Sequence, residues 1–151
     1  THRDPIAFAA CAAVSRGIAM ILRDTTPGAV AAEMVDAAAR YSAGTAEMMR
    51  RAVEEAEQGA DPEAVLGRLR GWAAHEAIAA ALFVFLRHPD DPRAAILEGA
   101  NTPGDSDSIA SIAGALVGAR CGLGALPADW VRDVERSDEL VALAAKVRVN
   151  E

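Results

Sequence analysis

Apolar residues recur at three- and four-residue spacing along almost the whole chain, and that spacing restricts it to a helical fold. In the first segment Ile6, Ala9, Ala10, Ala13, Val14, Gly17, Ile18 and Ile21 fall on one face of a 3.6-residue repeat. The start of this helix is also marked. Asp4 offers a carboxylate to the orphan N–H groups of the first turn, and Pro5 suits the first helical position. Asp24-Thr25-Thr26-Pro27-Gly28 ends it and caps a second helix that runs to about Tyr41. A third is expected from near Thr45 to Gln58-Gly59, with Glu54, Glu55 and Glu57 on its outer face. Asp61-Pro62-Glu63 opens a short fourth helix that ends near Arg70, and residues 75–87 form the most apolar one. Asp91-Pro92 starts a helix that ends near Asn101, residues 107–121 form a small-residue helix, and Pro127 starts another through Val134. Ser137-Asp138-Glu139 opens the last, to about Val147. Period-2 alternation is confined to residues 146–150, too short to alter an all-α fold class.

Thirty-six of the 151 residues are alanine and only 4% are aromatic, so the core must rely on close backbone approach rather than large side chains. No repeat or linker divides the chain, and its length suits about one domain. The formal net charge is -7, and a single lysine, Lys146, accompanies the arginines without forming a basic stripe. That balance argues against DNA as a partner, because affinity for phosphates needs clustered cations. The longest apolar runs, residues 6–14 and 77–86, are each about ten residues long. A membrane span needs roughly 20. Cys11 and Cys121 lack any metal-binding spacing and read as buried thiols in a reducing, cytoplasmic setting.

One segment departs from ordinary helical sequence: Asn101-Thr102-Pro103-Gly104-Asp105-Ser106-Asp107-Ser108, followed by Ile109-Ala110-Ser111-Ile112-Ala113-Gly114. Two aspartates and a hydroxyl at a loop-to-helix junction supply the hard oxygen ligands that a divalent cation prefers. The same residues are also what a helix N-terminus favours through capping and the macrodipole. Spacing alone leaves both readings open, and three oxygens do not fill an octahedral shell.

Residues 101–118 resemble the C-terminal signature of the ADP-ribosylglycohydrolase family, the dinitrogenase-reductase-activating glycohydrolases and their relatives. That signature runs Asn-x-Gly-Gly-Asp-Thr/Ser-Asp-Thr/Ser into a small-residue helix. Leu126-Pro127-x-x-Trp130 resembles a family element downstream, and Glu76, Ala80, Ala81 and Leu82 are similar to the helix that precedes the signature. Thr1-His2-Arg3-Asp4-Pro5 looks like a junction near the middle of the family fold. The resemblance implies a compact all-α fold holding two divalent cations, Mg2+ or Mn2+. It places metal ligands at Asp105, Asp107 and Ser108, with Asp105 and Asp107 as catalytic residues and His2 as a substrate contact. The implied reaction is hydrolysis of the glycosidic bond of an ADP-ribosylated substrate. His75 and His88 are expected to be solvent-facing or capping, Trp72 and Trp130 to anchor helix packing, and Asn101 to hold the acidic loop in an Asx turn.

The chain also departs from the family pattern. Pro103 replaces the first of two glycines and removes an N–H. Ser108 replaces threonine but keeps the oxygen. The family's Thr-Asp-Asp motif is missing, and Asp90-Asp91 does not resemble it. With Thr1 in place of an initiator Met, the resemblance implies that the chain is the C-terminal portion of a longer domain. A companion chain or segment would then supply the rest. A non-catalytic relative, crystallin-like or ADP-ribose-binding, is the alternative. An N-terminal nucleophile at Thr1 would require a sheet sandwich that this helical pattern does not build.

Overall fold

A computed structural model describes residues 3–146, and the regular structure among them is helical throughout. The first five helices are α1 (Pro5–Ile21), α2 (Pro27–Ala39), α3 (Ala43–Glu57), α4 (Pro62–Arg68) and α5 (Ala74–Arg87). They are followed by α6 (Pro92–Ala100), α7 (Ser106–Cys121), α8 (Ala128–Asp133) and α9 (Ser137–Lys146), with a 3-10 turn at Leu123–Ala125. Lys146 closes α9, so it joins no strand, and the rest of the 146–150 alternation lies outside the described residues.

The starts of these helices follow local chemistry. The carboxylates of Asp4, Asp61 and Asp91 accept from the backbone N–H of Ile6 at 2.8 Å, Ala64 at 3.2 Å and Ala94 at 2.9 Å. Each precedes a proline whose missing N–H would have been an orphan in any case. Thr26, by contrast, caps α2 by position only and makes no side-chain bond there. The start of α3 also differs from expectation. Ser42 is its cap, accepting from the Thr45 backbone N–H at 3.2 Å and the Thr45 hydroxyl at 2.9 Å. Thr45 is buried one turn in, because its hydroxyl already has a partner and can leave water.

Helix α5 is the centre of the molecule. Every residue from Ala77 to Phe85 is buried, and α1, α2, α3, α6 and α7 all pack on it. Ala79, Ala80 and Ala81 admit neighbouring backbones, while Phe83 and Phe85 supply volume at zero exposure. On α1 the expected face is the buried one, through Ala9, Ala10, Ala13, Gly17 and Ile21. Ion pairs bind the periphery, Arg16 to Glu33 across α1 and α2 at 2.6 Å and Arg87 to Glu98 at 3.1 Å, and His88 Nε2 lies within hydrogen-bond distance of Glu98 at 3.0 Å. His88 is therefore the C-cap of α5 and a half-buried hydrogen-bond partner of Glu98.

Beyond α7 the packing thins. Neither α8 nor α9 buries a residue, and Leu123, Val134, Leu140, Val141 and Leu143 stay exposed. A cavity of about 840 Å³ lies between these elements and shares no residue with the acidic loop. No described helix is long and apolar enough to cross a membrane.

The two cysteines do not behave as a buried pair. Cys11 is exposed, because residue 11 lies off the stripe formed by residues 9, 10, 13 and 17. Cys121 is half-buried at the end of α7, its Sγ 3.6 Å from the Pro89 carbonyl oxygen. Burial, then the nearby Asp90 carboxylate, push the Cys121 thiol up, with Arg120 opposing. A raised value in the folded state means that this thiol's contribution to stability is present at neutral pH. It is lost as pH rises through the raised value. Alkylation near pH 8 should therefore modify Cys11 at least about tenfold faster than Cys121, and denaturant should erase the difference. Equal rates in the folded protein, read by mass spectrometry, would refute this.

Candidate metal centre

The acidic segment forms the loop between α6 and α7, and a turn far from it in sequence holds it in place. The Asp105 backbone N–H donates to the Arg70 carbonyl oxygen at 2.6 Å. Gly104 passes so close to that carbonyl that a Cβ there would lie 1.9 Å from the oxygen and 2.6 Å from the carbonyl carbon. Only glycine permits this approach. On the other side Gly71 adopts φ +80°, and a Cβ built there would meet Ile109 Cδ1 at 3.0 Å and Asp105 Cβ at 3.3 Å. The 70–71 turn and the 104–105 turn thus clasp each other.

Within this clasp Asp105 takes the N-cap position of α7 but makes no side-chain capping bond. Asp4, Asp61 and Asp91 all make one. Its carboxylate is therefore not spent on the helix. Asp107, exposed one residue into the first turn, is held below the usual carboxylate range. The chief cause is a side-chain hydrogen bond with Asp105, and the backbone N–H groups of Ser108 and Asp107 itself add to it. Asp105 and Asp107 lie two residues apart at the start of α7, with half-buried Ser108 following on the same turn. This set matches a hard divalent cation in chemistry, and the buried Thr102 hydroxyl in the same loop has no hydrogen-bond partner. It is short in number. Among the described residues no three or more His, Cys, Asp or Glu side chains form a group that could hold a metal ion.

Several expected roles change. Asn101 does not hold the loop: its Nδ2 donates back to the Leu97 carbonyl oxygen at 2.7 Å, which finishes α6 instead. Trp72 follows the Gly71 turn, is 72% exposed and anchors no packing. Trp130 is half-buried, with the Arg93 guanidinium 6.0 Å from its ring centre. His75 neither faces solvent with both nitrogens nor caps a helix. Its Nδ1 is buried without a partner, and Glu76 accepts the Ala73 N–H at 3.3 Å in its place. His2 lies outside the described residues. Close behind it in sequence, Asp4, Ile6 and Ala7 line a hollow of about 370 Å³ with Trp72, Ala73 and Ala74. Sequence reasoning missed Arg70, Gly71 and Thr102. Only the lone glycine at 71, between two helical segments, hinted at a special backbone position.

Comparison with known proteins agrees with this architecture. A family model described as ADP-ribosylglycohydrolase matches residues 1–151. The chain is 33% identical over 84 residues to the ADP-ribosylhydrolase ARH3 of Mus musculus. That match covers 49% of this chain and 23% of the mouse protein. No solved structure matches. With a family model matching its full length and an all-helical fold, this chain belongs to the ADP-ribosylglycohydrolase family.

Proposed function

We propose that this chain carries one half of the metal-dependent site of a hydrolase that cleaves the glycosidic bond of an ADP-ribosyl group. The observation that carries this reading is the Asp105 carboxylate, unused by the helix it begins and two residues from Asp107. Family membership supplies the reaction class. Asp105, Asp107 and Ser108 would hold Mg2+ or Mn2+, and such cations supply Lewis acidity toward ribose hydroxyls and water. The chain's own part is positional. Asp105 and Asp107 would supply carboxylate oxygens, with the Asp107 carboxyl held below the usual range, and Ser108 would add a hydroxyl oxygen. A net charge of -7 repels an anionic nucleotide, so cations at this loop would reverse the local field where the diphosphate approaches. His2 is assigned to substrate contact. Because three oxygens leave the shell open, a companion segment completes it.

The test is release of ADP-ribose from ADP-ribosyl-arginine or ADP-ribosyl-serine. The chain is assayed alone and with a segment carrying the remainder of the domain, with and without Mg2+ or Mn2+. Turnover is expected only with both the companion and a cation, and EDTA should abolish it. Equal turnover in EDTA would exclude the metal-dependent reading. Binding of ADP-ribose without turnover under every condition would favour the non-catalytic alternative.

A further inference from the structure

We propose that the Arg70–Gly71 turn is the positioning element of the acidic loop, so that the placement of Asp105 is set from the α4–α5 connection. This rests on the reading of Asp105 as a cation ligand. Helix α7 alone does not orient Asp105. The residue makes no side-chain bond to the first turn, and its backbone, at φ -77° and ψ 71°, departs from the extended cap of Asp4 and Asp61. Its N–H lies outside the helical ladder and has one backbone partner, the Arg70 carbonyl oxygen at 2.6 Å. That carbonyl is aimed by the residue that follows it. Gly71 is buried at φ +80°, a region that L side chains seldom adopt. A Cβ there would stand 3.0 Å from Ile109 Cδ1 and 3.3 Å from Asp105 Cβ, tight contacts that add to the strain of the positive φ. Arg70 therefore acts through its main chain, and Gly71 through the shape of its backbone. Neither supplies a ligand atom. Both are positioning residues.

The test replaces Gly71 with Ala in the 151-residue chain, with Gly71→Asn as a second variant because Asn tolerates positive φ better. Gly67→Ala is the control, since nothing lies within 4 Å of the Cβ it would add. Two readouts separate positioning from bulk stability. The first is hydrogen exchange of the Asp105 amide, compared with amides in the middle of α5. The second is Mn2+ affinity of the folded protein, measured by titration. The expected result is loss of protection at Asp105 with α5 protection retained, and an Mn2+ affinity reduced at least tenfold, in keeping with the loss of a ligand-orienting partner. Asn should show the smaller effect, and Gly67→Ala should match the wild type. If Gly71→Ala does not fold, the Asn variant decides through the same two readouts. Unchanged Asp105 protection in a folded Gly71 variant would overturn the proposal. Should the wild type bind no Mn2+ while Asp105 protection still depends on Gly71, the cation reading fails and the positioning role stands.

Discussion

Replacing Asp105 with Asn is expected to abolish divalent-cation binding while leaving stability almost unchanged. The two readings of this aspartate make opposite forecasts. A capping aspartate accepts a first-turn N–H, and losing it typically costs about 1 kcal/mol. Asp61 makes such a bond, to Ala64 N at 3.2 Å, so Asp61→Ala should show that loss in urea denaturation. Asp105 sits at the corresponding position of α7 without the bond, so Asp105→Ala should stay within about 0.5 kcal/mol of wild type. Its effect should appear in Mn2+ or Mg2+ titration instead, as a loss of affinity exceeding about 100-fold, more than an outer-sphere partner usually costs. Asp107→Asn should behave alike in the titration. Removing bound cation with EDTA should likewise change wild-type stability and leave Asp105→Asn unaffected. If Asp105→Ala costs as much as Asp61→Ala and Asp105→Asn binds cation normally, Asp105 is only the start of a helix.

Gly104→Ala carries the second large expectation. A Cβ at this position would lie 1.9 Å from the Arg70 carbonyl oxygen and 2.6 Å from its carbon. Those atoms are backbone, so no side chain can rotate away. Either the acidic loop or the 70–71 turn must shift, which breaks the 2.6 Å Asp105–Arg70 hydrogen bond. A loss on the order of 3 kcal/mol is expected, from overpacking together with a stranded N–H. For a chain of this length that lowers Tm by roughly 6–12 °C. Cation affinity should fall with it, in contrast to Asp105→Asn, where the two effects separate. Gly118→Ala is the matched control on α7. Open space surrounds it, so exchange for a better helix former should leave stability equal or slightly higher. A Gly104→Ala protein as stable as the Gly118→Ala control would show that the two turns do not clasp as described.

Much of the fold was legible because its determinants are local. The buried stripe of α1 follows from 3,4 spacing, and Asp4, Asp61 and Asp91 act as caps within three residues of their partners. The α3 start, at Ala43, lies two residues before the expected Thr45 for an equally local reason. Ser42 takes the cap, and Thr45, near which the start was expected, goes into the core. The exposure of Cys11 was readable from its angle off the α1 stripe, but residue-type preference for burial outweighed it. Trp72 and His75 were less tractable. Their surroundings depend on how the Gly71 turn delivers the chain into α5, and no periodicity encodes that.

The acidic loop divides in the same way. Its chemistry, two carboxylates and a hydroxyl at the mouth of a small-residue helix, stands in residues 105–108 themselves and carries the family resemblance with it. Whether those carboxylates serve the helix or remain available could not be read there, because both uses need the same residues at the same spacing. The folded chain shows that Asp105 makes no capping bond. The packing of α7 on α5 brings residues 70–71 against residues 104–105, where a backbone carbonyl and two side-chain-free positions set the Asp105 main chain. Helix formation and capping reach about four residues along the chain, so the sequence by itself determined them. A contact between turns exists only once the core between them has closed, and so only the folded chain could determine that.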